Sequence, residues 1–289
     1  MIISRNDAGL CNRIKCWMSS LRIDDECYVE WPTTVRPERN KVRSFPKFEE
    51  IFDNDNSIKN KKSYKRSVFF GRPDDVLKSK YFNCKETKKV YTSPYLAVLP
   101  SDNIDRNFIK NPHSEKTIID LQYQKTPKNI IKAYRELFKQ IKFKKHIKDA
   151  AEDFFKQNIG NDKLLTVHIR SFPISLNRQK LWYNIENYFN QIEEIKSQYG
   201  KIFVAADTFE VQKQFENKFN DKVVYYPKKL NPMKSLGSVE SQIEAVIDLL
   251  LLGKGSTMLA TETSTFGEVA WWLAEDPPEV IKIGNIIYE

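Results

Sequence analysis

The sequence has little glycine, few cysteines and no long hydrophobic run. Its nine glycines include no GxGxxG motif, which argues against the standard dinucleotide-binding fingerprint. The four cysteines form no CxxC pair and have no histidine near them, which argues against a zinc site and favours free thiols in a reducing cytoplasm. The longest apolar run, residues 245–252, is too short to span a membrane, and no apolar leader follows Met1. We therefore expect a soluble cytoplasmic protein.

The composition is that of a folded globular protein. Hydrophobic residues make up 40% of the 289 positions and aromatic residues 12%, which excludes bulk disorder and provides enough apolar surface for two domains. The net charge of +9 favours a polyanion, a membrane surface or a phosphorylated ligand as partner. No RNP, zinc-finger or helix-turn-helix signature accompanies this charge, so we expect no nucleic-acid partner.

The hydrophobic pattern predicts an α/β protein with two domains. Residues 1–31 read as strand, turn, helix and strand, whereas residues 32–125 are polar and irregular. A helix predicted to begin at Thr126-Pro127, with Thr126 as its N-cap, keeps an apolar face to about residue 157, as one long helix or a broken pair. Such a helix either bridges two domains or packs within one. We place the domains at residues 1–125 and 126–289.

Beyond Gly160, strands and helices alternate regularly. Apolar strands separated by amphipathic helices are typical of a doubly wound parallel sheet. The predicted strands are 163–169, 201–206, 223–226, 257–261 and 280–283, and the predicted helices are 184–199, 209–219, 239–252 and 264–274.

Two of these strands end in polar residues. The strand ending in Val167-His168-Ile169-Arg170 places a fixed cation just beyond the strand, with His168 on the same face. The strand ending at Thr261 is followed by a hydroxyl-rich helix start that contains Thr263, Ser264, Thr265 and Phe266. Ligands bind at the carboxyl ends of parallel strands, and a guanidinium beside free N–H groups suits a diphosphate. The pair predicts a nucleotide-linked substrate, although a structural histidine, a salt-bridged arginine and an ordinary N-cap explain the same residues.

Three further carboxylate positions have competing interpretations. Asp207 ends the strand 201–206, where it suits a nucleobase or ribose, or the N-cap of the next helix. Asp248 interrupts an apolar helical face and needs a partner, for which Arg170 is attractive. Asp53-Asn54-Asp55 fits the DxD pattern of metal-dependent glycosyltransferases, but it lies in a polar turn, and we expect no metal there. No Ser/His/Asp triad or catalytic cysteine context is present.

Four motifs in order resemble those of the GDP-fucose fucosyltransferase superfamily, which includes the α1,6-, protein-O- and nodulation-type enzymes. They are residues 7–14 (DAGLCNRI), similar to a GLGNR turn, residues 167–170 (VHIR), similar to an HxR motif, residues 203–207 (FVAAD), and residues 248–252 (DLLLL) with 261–270 (TETSTFGEVA). The resemblance implies a GT-B fold, in which two Rossmann-like domains face each other across a cleft. It also implies GDP-fucose as donor, inversion at the anomeric carbon, no metal cofactor, and a glycan or protein acceptor.

The resemblance also implies residue roles. Arg170 would bind the β-phosphate and stabilise the departing GDP, His168 would contact the nucleotide, and Asp207 would contact the guanosine. Asp248 would support the site. The hydroxyls Ser264 and Thr265, at the same helix start as Thr263 and Phe266, would hold phosphate oxygens. Asn12 and Arg13 would approach the donor from the first domain.

The sequence departs from the family pattern at three places, one of which is Thr208, where some members have a second aspartate. Cys11 replaces the second glycine of the turn, and Ser171-Phe172-Pro173 replaces the second arginine and the downstream aspartate of the α1,6-enzymes. No general base is obvious. The candidates are Asp7, Glu262 and Glu268, of which we favour Asp7 because it precedes the turn. A transferase for another nucleotide sugar, a noncatalytic nucleotide- or glycan-binding relative and a basic nucleic-acid binder remain as alternatives, in that order.

Overall fold

The computed structural model describes residues 1–35, 43–55, 66–71, 76–81, 83–102, 118–119, 126–171, 184–229, 238–262 and 264–284. The chain divides into two compact units, Met1–Lys144 and Lys145–Glu289. Each unit contains a parallel β-sheet, so the α/β prediction is confirmed. Among the described residues, no helix has the length and apolar character needed to cross a membrane.

The first unit is built on a four-stranded parallel sheet. Its strands are β1 (Ile2–Ser4), β2 (Cys27–Val29), β3 (Thr34–Val35), β4 (Arg43–Ser44), β5 (Arg66–Phe70), β6 (Thr87–Tyr91), β7 (Leu96–Ala97) and β8 (Ile118–Ile119), and its helices are α1 (Leu10–Ile23), α2 (Phe48–Ile51) and α3 (Lys128–Phe138). The main sheet has the order β2-β1-β6-β5 with parallel neighbours, while β3 with β4 and β7 with β8 form separate antiparallel pairs.

The predicted βαβ opening is confirmed by β1, α1 and β2. The spacing of Ile14, Trp17, Met18 and Leu21 predicts this helix, and α1 buries the first three while Leu21 is partly buried. Ser4 at the end of β1 donates a hydrogen bond to the Cys16 sulfur at 3.3 Å, which joins the helix to the central strand. The turn that precedes α1 therefore lies at the carboxyl edge of the sheet.

The apolar face predicted after residue 126 is a broken pair of helices, and the two helices belong to different units. Helix α3 buries Ile130, Tyr134 and Phe138, and the Tyr134 hydroxyl donates to the Ala97 carbonyl at 2.6 Å within the first unit. The units consequently divide between Lys144 and Lys145, after α3, whereas the sequence places the boundary before it. Pro127, and not Thr126, is the N-cap of α3, which corrects the predicted helix start.

The second unit follows the predicted alternation closely. It contains α4 (Lys145–Asn158), β9 (Leu164–Ile169), α5 (Ile185–Ile195), β10 (Lys201–Ala206), α6 (Phe209–Phe219), β11 (Val223–Val224), α7 (Val239–Leu252), β12 (Thr257–Thr261), α8 (Thr265–Leu273) and β13 (Glu279–Ile283). The sheet order is β11-β10-β9-β12-β13, and every neighbouring pair is parallel. All six residues of β9 are buried, as expected for the central strand of a doubly wound sheet.

Candidate functional site

The carboxyl ends of β9, β10 and β12 meet at one edge of the second sheet. His168 on β9 lies in register between Ala205 of β10 and Ala260 of β12. Because the three strands are parallel, the residues that follow them, Arg170 and Asp207 among them, lie at this same edge. The two polar strand ends that the sequence singles out are therefore neighbours.

Arg170 is anchored at its backbone and partly exposed at its side chain. Its backbone N–H donates to the Thr261 hydroxyl at 2.8 Å, and that hydroxyl lies 2.8 Å from the hydroxyl of Tyr188. The side chain is 32% exposed, and its Nε lies 3.5 Å from Oδ2 of Asp207. The result is a cation that the fold holds in place while leaving part of it available to an anion.

Asp207 holds the chain that follows β9. One carboxylate oxygen accepts hydrogen bonds from the backbone N–H of Ser171 at 3.0 Å and from its hydroxyl at 2.5 Å. Thr208, not Asp207, caps α6, since its side chain accepts from the Val211 N–H at 3.3 Å. The N-cap alternative for Asp207 is therefore wrong, and the carboxylate serves the Arg170-Ser171 segment.

His168 is a buried neutral imidazole. Its ring stacks on Phe266 with a centroid distance of 5.1 Å, and Nδ1 has no hydrogen-bond partner within the described parts of the chain. Burial lowers the pKa of His168 to about 3, and the nearby Arg170 and Lys228 lower it further while Asp207 opposes them. At neutral pH this side chain therefore carries no charge.

Helix α8 begins against that imidazole. Ser264 is the N-cap, and its hydroxyl accepts from the Phe266 N–H at 3.4 Å; Thr265 opens the helix, and Thr263 lies outside the described residues. A Cβ on Gly267 would lie 3.0 Å from Ala260 Cβ, so the glycine allows the close approach of helix to strand. The helix start thus combines backbone N–H groups with a cation that directly follows the adjacent strand β9, a combination suited to phosphate.

Asp248 corrects one prediction. Its partner is Lys228, with 2.7 Å between Nζ and Oδ2, and not Arg170, which pairs with Asp207. Both side chains of the pair are about 95% buried, and Lys228 also donates to the Ala206 carbonyl at 2.9 Å. Burial raises the pKa of Asp248, and Lys228 counteracts the rise. The pair ties α7 to the residue that precedes Asp207.

Sequence reasoning missed Lys228, Thr261 and Tyr188 as members of this edge. Lys228 offered one signal, because it follows the predicted strand 223–226 and so belongs to the same carboxyl edge as Arg170. The hydroxyls of Thr261 and Tyr188 gave none, since a threonine in a strand and a tyrosine in a helix are common. Only the fold brings these two side chains to within 2.8 Å.

The candidate bases Glu262 and Glu268 are both buried in the second unit. Glu262 is 6% exposed and Glu268 is fully buried. One Glu268 oxygen accepts a hydrogen bond from the indole N–H of Trp272 at 3.3 Å. The Glu268 contact is structural, and the choice of Asp7 as the base stays a prediction.

In the first unit, the turn before α1 is held from below by Arg13. Its guanidinium is 99% buried and donates to the carbonyls of Ala8 and Pro32, both at 2.8 Å, and it lies 4.1 Å from the Phe45 ring centroid. Burial lowers the pKa of Arg13 to about 10, partly offset by Asp7. The geometry therefore gives Arg13 a role in shaping the turn that carries Asp7.

Asn12 and Cys11 lie beside Arg13 in the first turn of α1. The Asn12 side-chain oxygen is buried without a hydrogen-bond partner in the described ranges. Cys11 is the second residue of the helix, where any L-residue is accommodated, so the missing glycine causes no backbone conflict.

The DxD segment is a structural connection. Asp53 pairs with Lys144 at 2.5 Å, and the Asn54 side chain accepts from the Lys142 N–H at 2.6 Å and donates to the Gln140 carbonyl at 2.7 Å. In the part of the chain that the structure describes, no three His, Cys, Asp or Glu side chains are grouped so as to hold a metal ion. The segment joins the α2 end to the residues after α3.

Comparison with solved structures assigns the fold. The fucosyltransferase NodZ from Bradyrhizobium aligns with 94% of this chain and 91% of its own at a TM-score of 0.57 and 17% identity. NodZ α1,6-fucosyltransferase soaked with GDP-fucose gives a TM-score of 0.54 and 16% identity, with 94% and 92% covered. POFUT1 in complex with GDP-fucose gives 0.55 and 11%, with 97% of each chain covered. The chain has a fucosyltransferase-like, GT-B-like fold. No family model and no curated protein matches it.

Proposed function

We propose that this protein is an inverting glycosyltransferase that moves fucose from GDP-fucose to a hydroxyl of a glycan or protein. The observation that carries the proposal is Arg170, which Asp207 and Thr261 hold at the carboxyl edge of the second sheet, on the same edge as the start of α8. Two proteins of the same fold, NodZ and POFUT1, have been crystallised with GDP-fucose. The arrangement supports a diphosphate site, and the fold supports a sugar nucleotide as its ligand.

The proposed reaction is a single displacement. The acceptor oxygen forms a bond to the anomeric carbon while the bond from that carbon to the β-phosphate oxygen breaks, and the electron pair leaves with GDP. Arg170 and the N–H groups at the α8 start would stabilise the charge that develops on the leaving phosphate. The proton of the acceptor hydroxyl would pass to a carboxylate, for which we propose Asp7. Because one face is attacked as the opposite bond breaks, the configuration inverts.

The remaining roles follow the same assignment. His168 is suited to contact the nucleotide as a neutral group, because burial keeps its imidazole uncharged at neutral pH. Asp207 would contact the guanosine while it holds Ser171, and Asp248 would support the site through Lys228. Ser264, Thr265 and Phe266 form the proposed phosphate-binding helix start.

One observation favours a second candidate function. Ser171 stands where the α1,6-enzymes have a second arginine, and its hydroxyl is engaged by Asp207. A site with a single arginine suits a noncatalytic protein that binds GDP-fucose but does not turn it over. Release of free fucose or a fucosylated product from GDP-fucose, followed by NMR, separates the two functions, because only the enzyme consumes the donor.

Calorimetric titration tests the donor site. The wild type should bind GDP and GDP-fucose, bind GDP-mannose more weakly and not bind UDP. Arg170→Ala should weaken GDP binding by about 30-fold, roughly 2 kcal/mol, since it removes a charge-assisted contact to phosphate. The matched control is Lys213→Ala, which removes an exposed positive charge from α6 and should leave the affinity unchanged. A folded wild type that binds no guanine nucleotide would overturn the proposal.

A further inference from the structure

A cavity of about 430 Å³ lies at the carboxyl edge of the sheet in the first unit. It opens where β1 and β6 end, beside the edge strand β5. Its lining residues are Arg5, Asn6, Asp7, Ala8, Phe69 and Thr92. All six belong to the first unit.

Hydrogen bonds and ion pairs within the protein hold the polar side of the cavity lining. The Asn6 side chain donates to the Thr92 carbonyl at 2.7 Å and accepts from the Ala8 N–H at 2.8 Å, which holds the turn on both sides of Asp7. Arg5 donates to Glu30 at 2.7 Å, and the same carboxylate takes Lys88. The Asp7 side chain itself is 64% exposed. Its Oδ1 lies 3.9 Å from the Arg5 Nε, so a carboxylate on a hydrogen-bonded turn and a paired guanidinium both line the cavity.

The opposite wall is an exposed aromatic ring. Phe69 is 61% exposed although it belongs to a β-strand. Among the described residues, Phe209 is the only other large hydrophobic side chain with comparable solvent exposure, at 37%. Neighbouring Phe70 is 94% buried, as the alternation of a strand requires. Because this ring lines the cavity, it offers a ligand an apolar face on which to stack.

We infer that this cavity holds a sugar ring of the acceptor, stacked on Phe69 and hydrogen-bonded through its hydroxyls to Asp7 and Arg5. A pyranose has an apolar C–H face and a rim of hydroxyls, which matches one aromatic wall and one wall of charged hydrogen-bonding groups. The inference rests on the proposed function and narrows it, because it makes the acceptor a glycan and not a protein hydroxyl. It also places the proposed base, Asp7, against an acceptor hydroxyl.

Saturation-transfer NMR on the full chain without nucleotide tests the inference. The probes are hexose and N-acetylhexosamine oligosaccharides, together with serine- and threonine-containing peptides. We expect an oligosaccharide to bind the wild type, and Phe69→Ala to weaken that binding at least tenfold. Phe69→Tyr should retain it, since the ring is kept, and Phe209→Ala, which removes the other exposed ring, should leave it unchanged.

Three results would overturn the inference: no oligosaccharide binds the wild type, binding is indifferent to Phe69→Ala, or the peptides bind in a Phe69-dependent manner. Circular dichroism of Phe69→Tyr and Phe69→Ala identifies a folding defect. GDP titration of the same samples separates this inference from the proposed function. Sugar binding without GDP binding would support the cavity assignment and refute the proposed transferase reaction. GDP binding without sugar binding would refute the cavity assignment and leave the proposed donor site supported.

Discussion

The two units of this protein differ in net charge, and the unit with the proposed diphosphate site is the negative one. Residues 1–144 contain 30 Lys and Arg against 18 Asp and Glu, a net charge of +12, whereas residues 145–289 contain 17 against 20, a net charge of −3. The proposed diphosphate site therefore lies in the acidic unit. Its phosphate chemistry rests on the placement of Arg170, not on a general positive field. Net charge alone would favour a phosphate site in the first unit.

The sheet edges of the two units also differ in the solvent exposure of their side chains. In the second unit Lys228 and Asp248 form an almost fully buried pair, and Arg170 forms a partly exposed pair with Asp207. In the first unit Asp7 and Phe69 are mostly exposed. A buried pair positions a site at a cost in desolvation, whereas an exposed side chain keeps much of its surface accessible to a ligand. The following changes test that contrast.

The largest effect is expected at the buried pair. Lys228→Met leaves the Asp248 carboxylate without its counter-charge, and we expect the free energy of unfolding to fall by about 3 kcal/mol in urea denaturation. The double change Lys228→Met with Asp248→Leu removes both charges and should recover most of that loss. Lys145→Met, at an exposed pair in the same unit, should leave the urea midpoint unchanged. A single variant as stable as the wild type would contradict the pairing.

The buried imidazole should make stability depend on pH. The pKa of His168 is about 3 in the folded state, below the value of about 6.5 expected when unfolded. As the pH falls below 6.5 the unfolded chain takes up a proton that the folded chain does not. The free energy of unfolding should therefore fall by about 2 kcal/mol between pH 7.5 and pH 5.

The pH experiment has a matched pair of variants. His168→Gln should lose this part of the dependence, while His146→Gln, on the exposed surface of α4, should keep it. Urea denaturation at each pH measures the difference. Identical pH profiles for His168→Gln and the wild type would show that the imidazole is not held neutral.

The smallest effect is expected at an exposed pair of the first unit. The Asp53 and Lys144 side chains are 46% and 33% exposed. Asp53→Ala should lower the free energy of unfolding by roughly 0.5 kcal/mol, because solvent screens such pairs. Added Mn²⁺ should not raise the melting temperature of the wild type or the variant. Stabilisation by Mn²⁺ that disappears in Asp53→Ala would restore the metal-binding interpretation of the DxD segment.

The second unit could be predicted from sequence element by element, and the first only in its opening and in α3. Apolar strands and amphipathic helices alternate regularly from Leu164 to Ile283, so the sequence predicts the strand ends at Arg170 and Asp207. In the first unit, β5 and β6 lie in a polar stretch whose periodicity is weak. The cavity wall at Phe69 could not be predicted for that reason.

The sequence by itself determined the parallel sheet of the second unit and the residues at its carboxyl edge, because the periodicity and the succession of strands and helices are properties of consecutive positions. Only the tertiary structure decided which charges pair. Asp248 meets Lys228 and Asp207 meets Arg170 because the lateral order of the strands places β10 between β9 and β11. Partner choice depends on distances between residues far apart in the chain, and a pattern of neighbours along the sequence contains no measure of those distances.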